Sequence, residues 1–250
     1  MNYDLMLRGT LVTAKKDMMI YYRKAPVYIF GLILPTFLFF AFFVGRDLDM
    51  QKYFPGFLAM SLFFTASSVG PLIIPWEKQA GTFERLLSLP LNIPMLILGD
   101  SLAGAAFGLF ISTIIFAFGS LLVGITAPIG LLILLPFFFI IGNVCFAAMG
   151  VLLSSPAGKV PANIMMLAAL VRFPLIFISG VFVPLSEMTG AGQVVAYFSP
   201  LTYLVDGLNA ALGQEAVIGA GWDLLALFLF TIIFLAGASY VLKRKAMKGL

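Results

Sequence analysis

The sequence contains no histidine and a single cysteine, Cys145, among its 250 residues. No intrachain disulfide can form, and Ser/His/Asp triads, Cys/His dyads and His/Cys metal clusters are excluded. Charged residues make up only 10% of the chain. An intramembrane enzyme or assembly factor would therefore lack a recognisable pair of nucleophile and base, and no metal site is expected.

Apolar residues dominate instead. They account for 62% of the chain, and the mean hydropathy is +1.08, whereas soluble domains contain roughly 45–50% apolar residues. A membrane-spanning helix needs about 20 mostly apolar residues. The sequence predicts an all-α integral membrane protein with a single membrane domain over 1–250. We expect six spans, at about 25–44, 53–74, 95–123, 129–153, 162–183 and 222–242.

Residues 1–24 precede the first predicted span and carry mixed charge. Apolar residues recur there every three or four positions, at Leu7, Leu11, Ala14, Met18 and Tyr22. We expect the charged residues to lie largely on other faces, namely Lys16, Asp17, Arg23 and Lys24. This pattern predicts an amphipathic helix at the membrane surface; the alternative is a solvated helical tail.

Prolines and a long connection modify this simple plan. Pro35 predicts a kink in the first span, and Pro71 and Pro75 are expected to disrupt the end of the second. The longest connection, 184–221, carries a helical apolar stripe formed by Leu201, Leu204, Val205, Leu208 and Leu212. Short interfacial or re-entrant helices are predicted between spans five and six, on the extracellular side.

The distribution of positive charge predicts the orientation. Only three of the 15 lysines and arginines, Arg46, Lys52 and Arg172, fall outside the segments that share a side with the two termini. Since cytoplasmic loops are rich in lysine and arginine, both termini are expected in the cytoplasm of a cell-membrane protein. The basic balance then reflects topology, and nucleic acid is not expected as a partner.

A charged stretch, 76–90, interrupts the apolar sequence between spans two and three. As one helix from Glu77, it would place Glu77, Gly81, Glu84 and Ser88 on one face. Ala80, Phe83 and Leu87 would lie on another face. Such a helix could press its apolar side onto the membrane domain and offer carboxylates to a partner; a solvated loop is the alternative.

Three segments together resemble the type-2 ABC exporter permeases. In the charged stretch, Glu77, Gly81, Thr82, Glu84, Leu86, Leu87 and Pro90 fit the pattern E-x-x-x-G-T-x-E-x-L-L-x-x-P. Segment 177–186, with Gly180 and Pro184, and segment 199–208, with Pro200 and Asp206, are similar to the same family. The segments keep the family's order along most of the chain.

The resemblance implies a permease subunit that pairs with a cytoplasmic ATP-binding subunit and with a second permease chain, a homodimer being favoured over a heterodimer. Stretch 76–90 would be the coupling helix, with contacts from Glu77, Gly81, Thr82, Phe83, Glu84, Arg85 and Pro90. A second cytoplasmic contact would include Ser155 and Lys159. The chain has no G-x-x-x-x-G-K-[ST] motif, so ATP and magnesium are expected in the partner and no cofactor in this chain.

Three polar residues are predicted inside the spans, where such groups face protein or a cavity. Asp100 could pair with a basic group or cap the coupling region. Arg172 could make a structural pairing, line the pathway or contact a lipid headgroup. Asn143 is interpreted as an interhelical hydrogen-bonding residue in preference to a substrate ligand.

The leading hypothesis is a permease of an ATP-driven exporter that moves an amphipathic, drug-like or lipid-linked compound out of the cytoplasm. The pathway that this chain could line is mostly apolar, which suits such a compound and contact with membrane lipid. The alternative is an ion-coupled secondary transporter working without an ATPase. That alternative needs acidic groups within the membrane, and Asp100 is the only carboxylate that we interpret as lying within it.

Overall fold

The computed structural model describes residues 3–45, 49–87, 92–125, 128–156, 158 and 160–246. Regular structure within these ranges is helical. Six helices are long and apolar enough to cross a membrane, as predicted: Ala25–Phe42, Met50–Ala80, Ile93–Val123, Gly130–Ser154, Pro161–Ile178 and Ala220–Lys245.

The first half of the chain begins with helix α1, Tyr3–Tyr21, which precedes the first span. That span consists of α2, Ala25–Tyr28, a π-helical turn, Ile29–Ile33, and α3, Leu34–Phe43. The π-helical turn ends just before Pro35, where a kink was predicted. The second span is α4, Met50–Ala80, and the short helix α5, Phe83–Leu87, follows it.

The rest of the chain contains four further spans and the long connection. Its helices are α6, Ile93–Val123; α7, Ile129–Leu132; α8, Leu134–Ser154; α9, Pro161–Ile178; α10, Ala191–Ala196; α11, Pro200–Ala211; and α12, Ala220–Ala246. A 3-10 turn, Leu185–Glu187, lies between α9 and α10. The fifth span ends at Ile178, before the predicted 183, because Gly180 takes a left-handed conformation with φ of 88°.

Helix α4 forms the centre of the bundle and is almost completely buried by α6, α8, α9 and α11. The prediction that Pro71 and Pro75 disrupt its end was wrong, because the helix continues to Ala80. A proline in a membrane helix removes a backbone donor, but surrounding helices can satisfy the freed carbonyl. Burial on all sides keeps α4 helical through three prolines.

Glycines allow α4 and α8 to meet along their backbones. A methyl group at Gly70 would lie 2.5 Å from the carbonyl carbon of Gly150, a distance that no real contact allows. One turn earlier in α4, a methyl group at Gly108 of α6 would lie 2.8 Å from the Cβ atom of Ala66. The core of the bundle is therefore fixed by backbone contact between helices.

Helix α11 lies against the bundle with its predicted apolar stripe inward. Leu201, Leu204 and Leu208 are fully buried and pack in the main hydrophobic cluster with Phe63 and Phe146. We call this the α11 end of the bundle and the opposite one, where Gly81 lies, the α5 end. The predicted coupling stretch lies at the α5 end, and the predicted motif around Pro200 lies at the α11 end.

Candidate functional site

The α5 end carries the predicted coupling stretch. Helix α4 ends at Gly81, whose φ of 67° is left-handed, and the Thr82 backbone N–H donates to the Glu77 carbonyl at 2.9 Å. This is a common glycine-based helix ending. The chain then enters α5 in a new direction, with Glu84 and Arg85 exposed.

Phe83 anchors α5 to the bundle. Its side chain is 7% exposed and belongs to a cluster with Ile74, Ile97 and Ile164 from three different spans. The Lys78 ammonium lies 4.9 Å from the centre of the Phe83 ring, within the range of a cation–π contact. Phe83 thus fixes α5 to the bundle, while Glu84 and Arg85 beside it are exposed. We call α5 the platform.

The prediction that Glu77 and Glu84 share one helical face was wrong. Gly81 separates α4 from α5, so the two carboxylates belong to different helices. Glu77 is 8% exposed and pairs with the Lys16 ammonium of α1, whereas Glu84 is exposed. Of the other residues predicted there, Gly81 and Thr82 are exposed, and Ser88 and Pro90 lie outside the described residues.

A buried charge cluster joins α1, α4 and α6 at this end. Lys16 contacts both Glu77 and Asp17, the latter at 3.0 Å, and Asp17 lies within hydrogen-bonding reach of Asp100. Asp17 is completely buried and Asp100 is 6% exposed. One lysine thus lies near three carboxylates, and Asp100 is linked to it through Asp17. The two roles predicted for Asp100 stay predictions.

The cluster changes the titration of the α1 residues. Burial lowers the pKa of Lys16, but the carboxylates of Asp17 and Glu77 outweigh it and raise the pKa to about 12. Burial raises the pKa of Asp17, an effect that contacts with Asp100 and Lys16 offset only in part. Lys16 therefore stays charged at neutral pH and holds the cluster together.

The prediction that Asp17 lies away from the apolar stripe of α1 was wrong, because Asp17 is buried beside Ala14. Thr13, Ala14, Asp17 and Tyr21 form the packed face, while Leu7 and Leu11 are exposed. Gly99 of α6 permits this packing, because a methyl group there would lie 2.7 Å from the Thr13 Cβ atom. Gly99, directly before Asp100, could have signalled that another helix packs closely there. It could not identify that helix as α1, which is far away in sequence.

The second predicted contact lies close to the C-terminal helix. Ser155 is buried, and its hydroxyl donates to the Val151 carbonyl at 2.9 Å. The Lys245 ammonium of α12 donates to the carbonyl of Pro156, the next residue. Lys159 lies outside the described residues.

Two predicted polar residues lie between spans. The Asn143 amide of α8 donates to the Phe139 carbonyl at 2.7 Å and to the Ser112 hydroxyl of α6 at 3.4 Å. Arg172 of α9 is 3% exposed and donates through Nη2 to the Ser67 carbonyl of α4. Both side chains therefore connect neighbouring helices.

The α11 end holds the other predicted motif. Pro184 precedes the 3-10 turn, and Pro200 begins α11 after Ser199, which caps the helix by accepting from the Leu201 N–H at 3.3 Å. Asp206 is 1% exposed and accepts hydrogen bonds from the backbone N–H groups of Val217, Ile218 and Gly219 at 2.8, 2.8 and 3.3 Å. Asp206 thus fixes the segment that leads into α12.

Asp223, the second residue of the sixth predicted span, is a buried carboxylate in the first turn of α12. It is completely buried and lies within hydrogen-bonding reach of Asp206. The expectation that Asp100 is the only acidic residue within the spans was therefore wrong: Asp223 lies in a membrane-crossing helix as well. A nearby cavity of about 220 Å³ is walled by residues from α4, α11 and the segment after α9, including Tyr53, Val181 and Asn209.

We expect Asp206→Ala to lower the free energy of unfolding by roughly 2 kcal/mol, because three backbone donors lose their acceptor. Asp206→Asn should cost less, since its amide oxygen still accepts and the repulsion from Asp223 is relieved. Thermal melting of the detergent-solubilised protein measures the relative stability of the two variants. Glu215→Ala, at an exposed position, is the control. Equal melting of all three variants would contradict the bracing role of Asp206.

The fold and these sites define a polytopic helical membrane protein with a fixed, charged platform at one end. The profile of the family described as ABC-2 type transporter matches residues 6–212. The chain therefore belongs to the ABC-2 type transporter family, and the resemblance found in the sequence is confirmed.

Three relatives are similar along most of their length. A protein of Cyanophora paradoxa described as the transport permease ycf38 is 25% identical over 80% of this chain and 72% of its own. Nodulation protein J of Rhizobium meliloti (strain 1021) is 25% identical over 88% and 83%. The daunorubicin resistance ABC transporter permease protein DrrB1 of Streptomyces coeruleorubidus is 26% identical over 82% and 74%. The chain is thus a transport permease of the ABC type, a family whose members work with a cytoplasmic ATP-binding subunit.

Proposed function

We propose that this chain is the membrane subunit of an ATP-driven exporter, with both termini in the cytoplasm. ATP and magnesium bind to a separate subunit, which docks at the α5 end. The observation that carries this proposal is the platform there: Phe83 is held between three spans, and Glu84 and Arg85 are exposed beside it. Membership of the ABC-2 family favours this function over an ion-coupled carrier.

The structure refines which residues would meet the ATP-binding subunit. Glu77 is buried and paired with Lys16, so it positions the end of α4 and does not contact the partner. Glu84, Arg85 and Thr82 are exposed and form the contact. A push on α5 reaches α4 through the Gly81 junction and reaches other spans through Phe83.

The proposed substrate is an amphipathic, drug-like or lipid-linked compound moving outward. Large apolar side chains are exposed along the spans, among them Phe37 of α3, Phe118 of α6 and Leu170 of α9. Such faces suit contact with lipid, with a second copy of this chain and with an apolar pathway between two copies. The relative DrrB1 is named for daunorubicin resistance, which makes daunorubicin a reasonable first transport probe.

We expect Glu84→Arg to abolish co-purification of the ATP-binding subunit while leaving the permease folded. The change inverts an exposed charge at the centre of the platform and costs little stability, because surface substitutions usually act within about 0.5 kcal/mol. Affinity capture from membranes, followed by an ATP hydrolysis assay on the eluate, measures the loss.

Glu215→Arg is the matched control, since it inverts an exposed carboxylate at the α11 end. That variant should retain the ATP-binding subunit in full. If Glu84→Arg retains it equally well, the docking surface does not lie on α5.

A further inference from the structure

Arg172 is an unusual residue for the middle of a membrane helix. It lies 11 residues into α9, which crosses the membrane with 18 residues, and its side chain is 3% exposed. Within the described part of the chain it forms no ion pair with a carboxylate. A buried guanidinium normally needs such a partner, so its presence calls for a specific physical reason.

Pro71 of α4 supplies that reason. In an α-helix the carbonyl of residue i accepts from the N–H of residue i+4, and the donor that would serve the Ser67 carbonyl is residue 71. Proline has no N–H, so α4 cannot satisfy this carbonyl itself. Arg172 Nη2 donates to that oxygen.

Water cannot easily take the place of Arg172. Ser67 is completely buried, and α8 covers the same carbonyl closely: a methyl group at Gly150 would lie 2.8 Å from the Ser67 oxygen and 3.3 Å from Pro71 Cδ. An unsatisfied backbone carbonyl in a dry, apolar region is costly. The arginine, the proline and the glycine therefore form one unit that joins three helices.

We infer that Arg172 is a positioning residue that fixes span five to span two by occupying the carbonyl that Pro71 leaves without a donor. It is not a ligand for the transported compound. The link lies near the middle of α4, whose far end carries the platform, and α9 begins close to the segment that contains Ser155. The effect of this contact on transport rests on the proposed function, whereas the contact between α9 and α4 does not.

One donor of Arg172 is consistent with the alternative interpretation, in which Arg172 binds the transported compound or a lipid. Its Nε–H has no acceptor among the described residues, and an anionic group of a substrate or lipid could accept from it. The two interpretations differ in what Pro71 should do. A substrate ligand would be indifferent to the backbone donor at position 71, whereas a positioning residue would become dispensable once that donor is restored.

The test is a rescue experiment on the full-length permease in detergent. Arg172→Met removes the donors and keeps an apolar side chain, and we expect the melting temperature to fall by roughly 5 °C. Pro71→Ala restores an N–H at position 71. The double variant Arg172→Met with Pro71→Ala should recover at least half of the loss, a non-additive result.

Pro75→Ala is the matched control, because Pro75 lies one turn further along the same helix and faces the carbonyl of residue 71 instead. Combined with Arg172→Met, it should rescue nothing. If Arg172→Met fails to fold, recovery of monodisperse protein in the Pro71→Ala background alone provides the same readout. The inference would be overturned if Arg172→Met melted like the wild type. It would also be overturned if both proline substitutions, or neither of them, rescued the Arg172→Met variant.

A second readout follows transport-linked ATP hydrolysis by the assembled complex in vesicles of phosphatidylethanolamine and phosphatidylglycerol. Arg172→Met should lower this rate about tenfold, the size expected for a change of about 1.4 kcal/mol, and Pro71→Ala should restore it. Restored melting without restored hydrolysis would identify Arg172 as a group that acts directly in transport. The melting experiment uses the permease alone, so it decides the helix link even if no ATP-binding subunit associates.

Discussion

Replacing Lys16 by methionine is expected to lower the free energy of unfolding by about 3 kcal/mol. Lys16 pairs with the buried carboxylates of Asp17 and Glu77, and Asp100 lies beside them. Removing one partner of a buried ion pair leaves the other charge uncompensated, which costs far more than losing a surface pair. Thermal melting in detergent measures the effect.

Lys15→Met is the control for this change, since Lys15 is the neighbouring residue and is exposed. It should melt within experimental error of the wild type. The double variant Lys16→Met with Glu77→Gln should melt higher than Lys16→Met, because one of the uncompensated carboxylates is gone. A loss of similar size for Lys15 and Lys16 would show that the cluster contributes nothing specific.

The same cluster predicts a pH dependence whose sign is fixed by Asp17. Burial raises the pKa of Asp17 in the folded protein, so folding favours its protonated form and stability falls as pH rises. Lys16 has a pKa of about 12, and its contribution is lost only as pH rises through that value. As the pH is lowered from about 8 to about 5, the Lys16→Met variant should therefore gain more stability than the wild type does.

Gly70→Ala is expected to be the most disruptive single-methyl change in the bundle. The added carbon would lie 2.5 Å from both the Gly150 carbonyl carbon and the Val151 nitrogen, and neither backbone atom can turn aside as a side chain can. Helices α4 and α8 must separate, at a cost of about 3 kcal/mol. We expect a lower yield of folded protein and a lower melting temperature, measured by size-exclusion chromatography and thermal melting.

Gly130→Ala tests whether this effect comes from contact and not from the loss of glycine itself. Gly130 lies in α7, and a methyl group there would meet nothing within 4 Å. Its stability should change by less than roughly 1 kcal/mol, in the stabilising direction, because alanine favours helix more than glycine does. If both variants melt alike, α4 and α8 are not held by backbone contact at Gly70.

Much of the architecture could be predicted because hydropathy and length constrain membrane helices strongly. The six spans and the inward stripe of α11 follow from apolar runs and from spacing, and the family follows from short motifs around Gly81, Gly180 and Pro200. These signals are local, so one chain is enough to recognise them.

The details of the site were less accessible because they depend on contacts between distant segments. The end of α4 could not be placed, since a proline is tolerated only when other helices surround it. Glu77 looked like a surface residue because its partner, Lys16, precedes it by 61 residues. The sequence pattern placed Gly81 inside one continuous helix, whereas its left-handed φ ends α4 there and leaves Glu77 and Glu84 in different helices.

The length of α4 has a mechanical consequence. With 31 residues at 1.5 Å per residue, the helix measures about 46 Å, more than the roughly 30 Å thickness of the hydrocarbon region. A tilt of only about 5° around one end would displace the other end by about 4 Å over this length. Helix α4 can therefore act as a lever that turns a small angular change at α5 into an opening of atomic dimensions beside Lys52 and Tyr53, on the far side of the membrane.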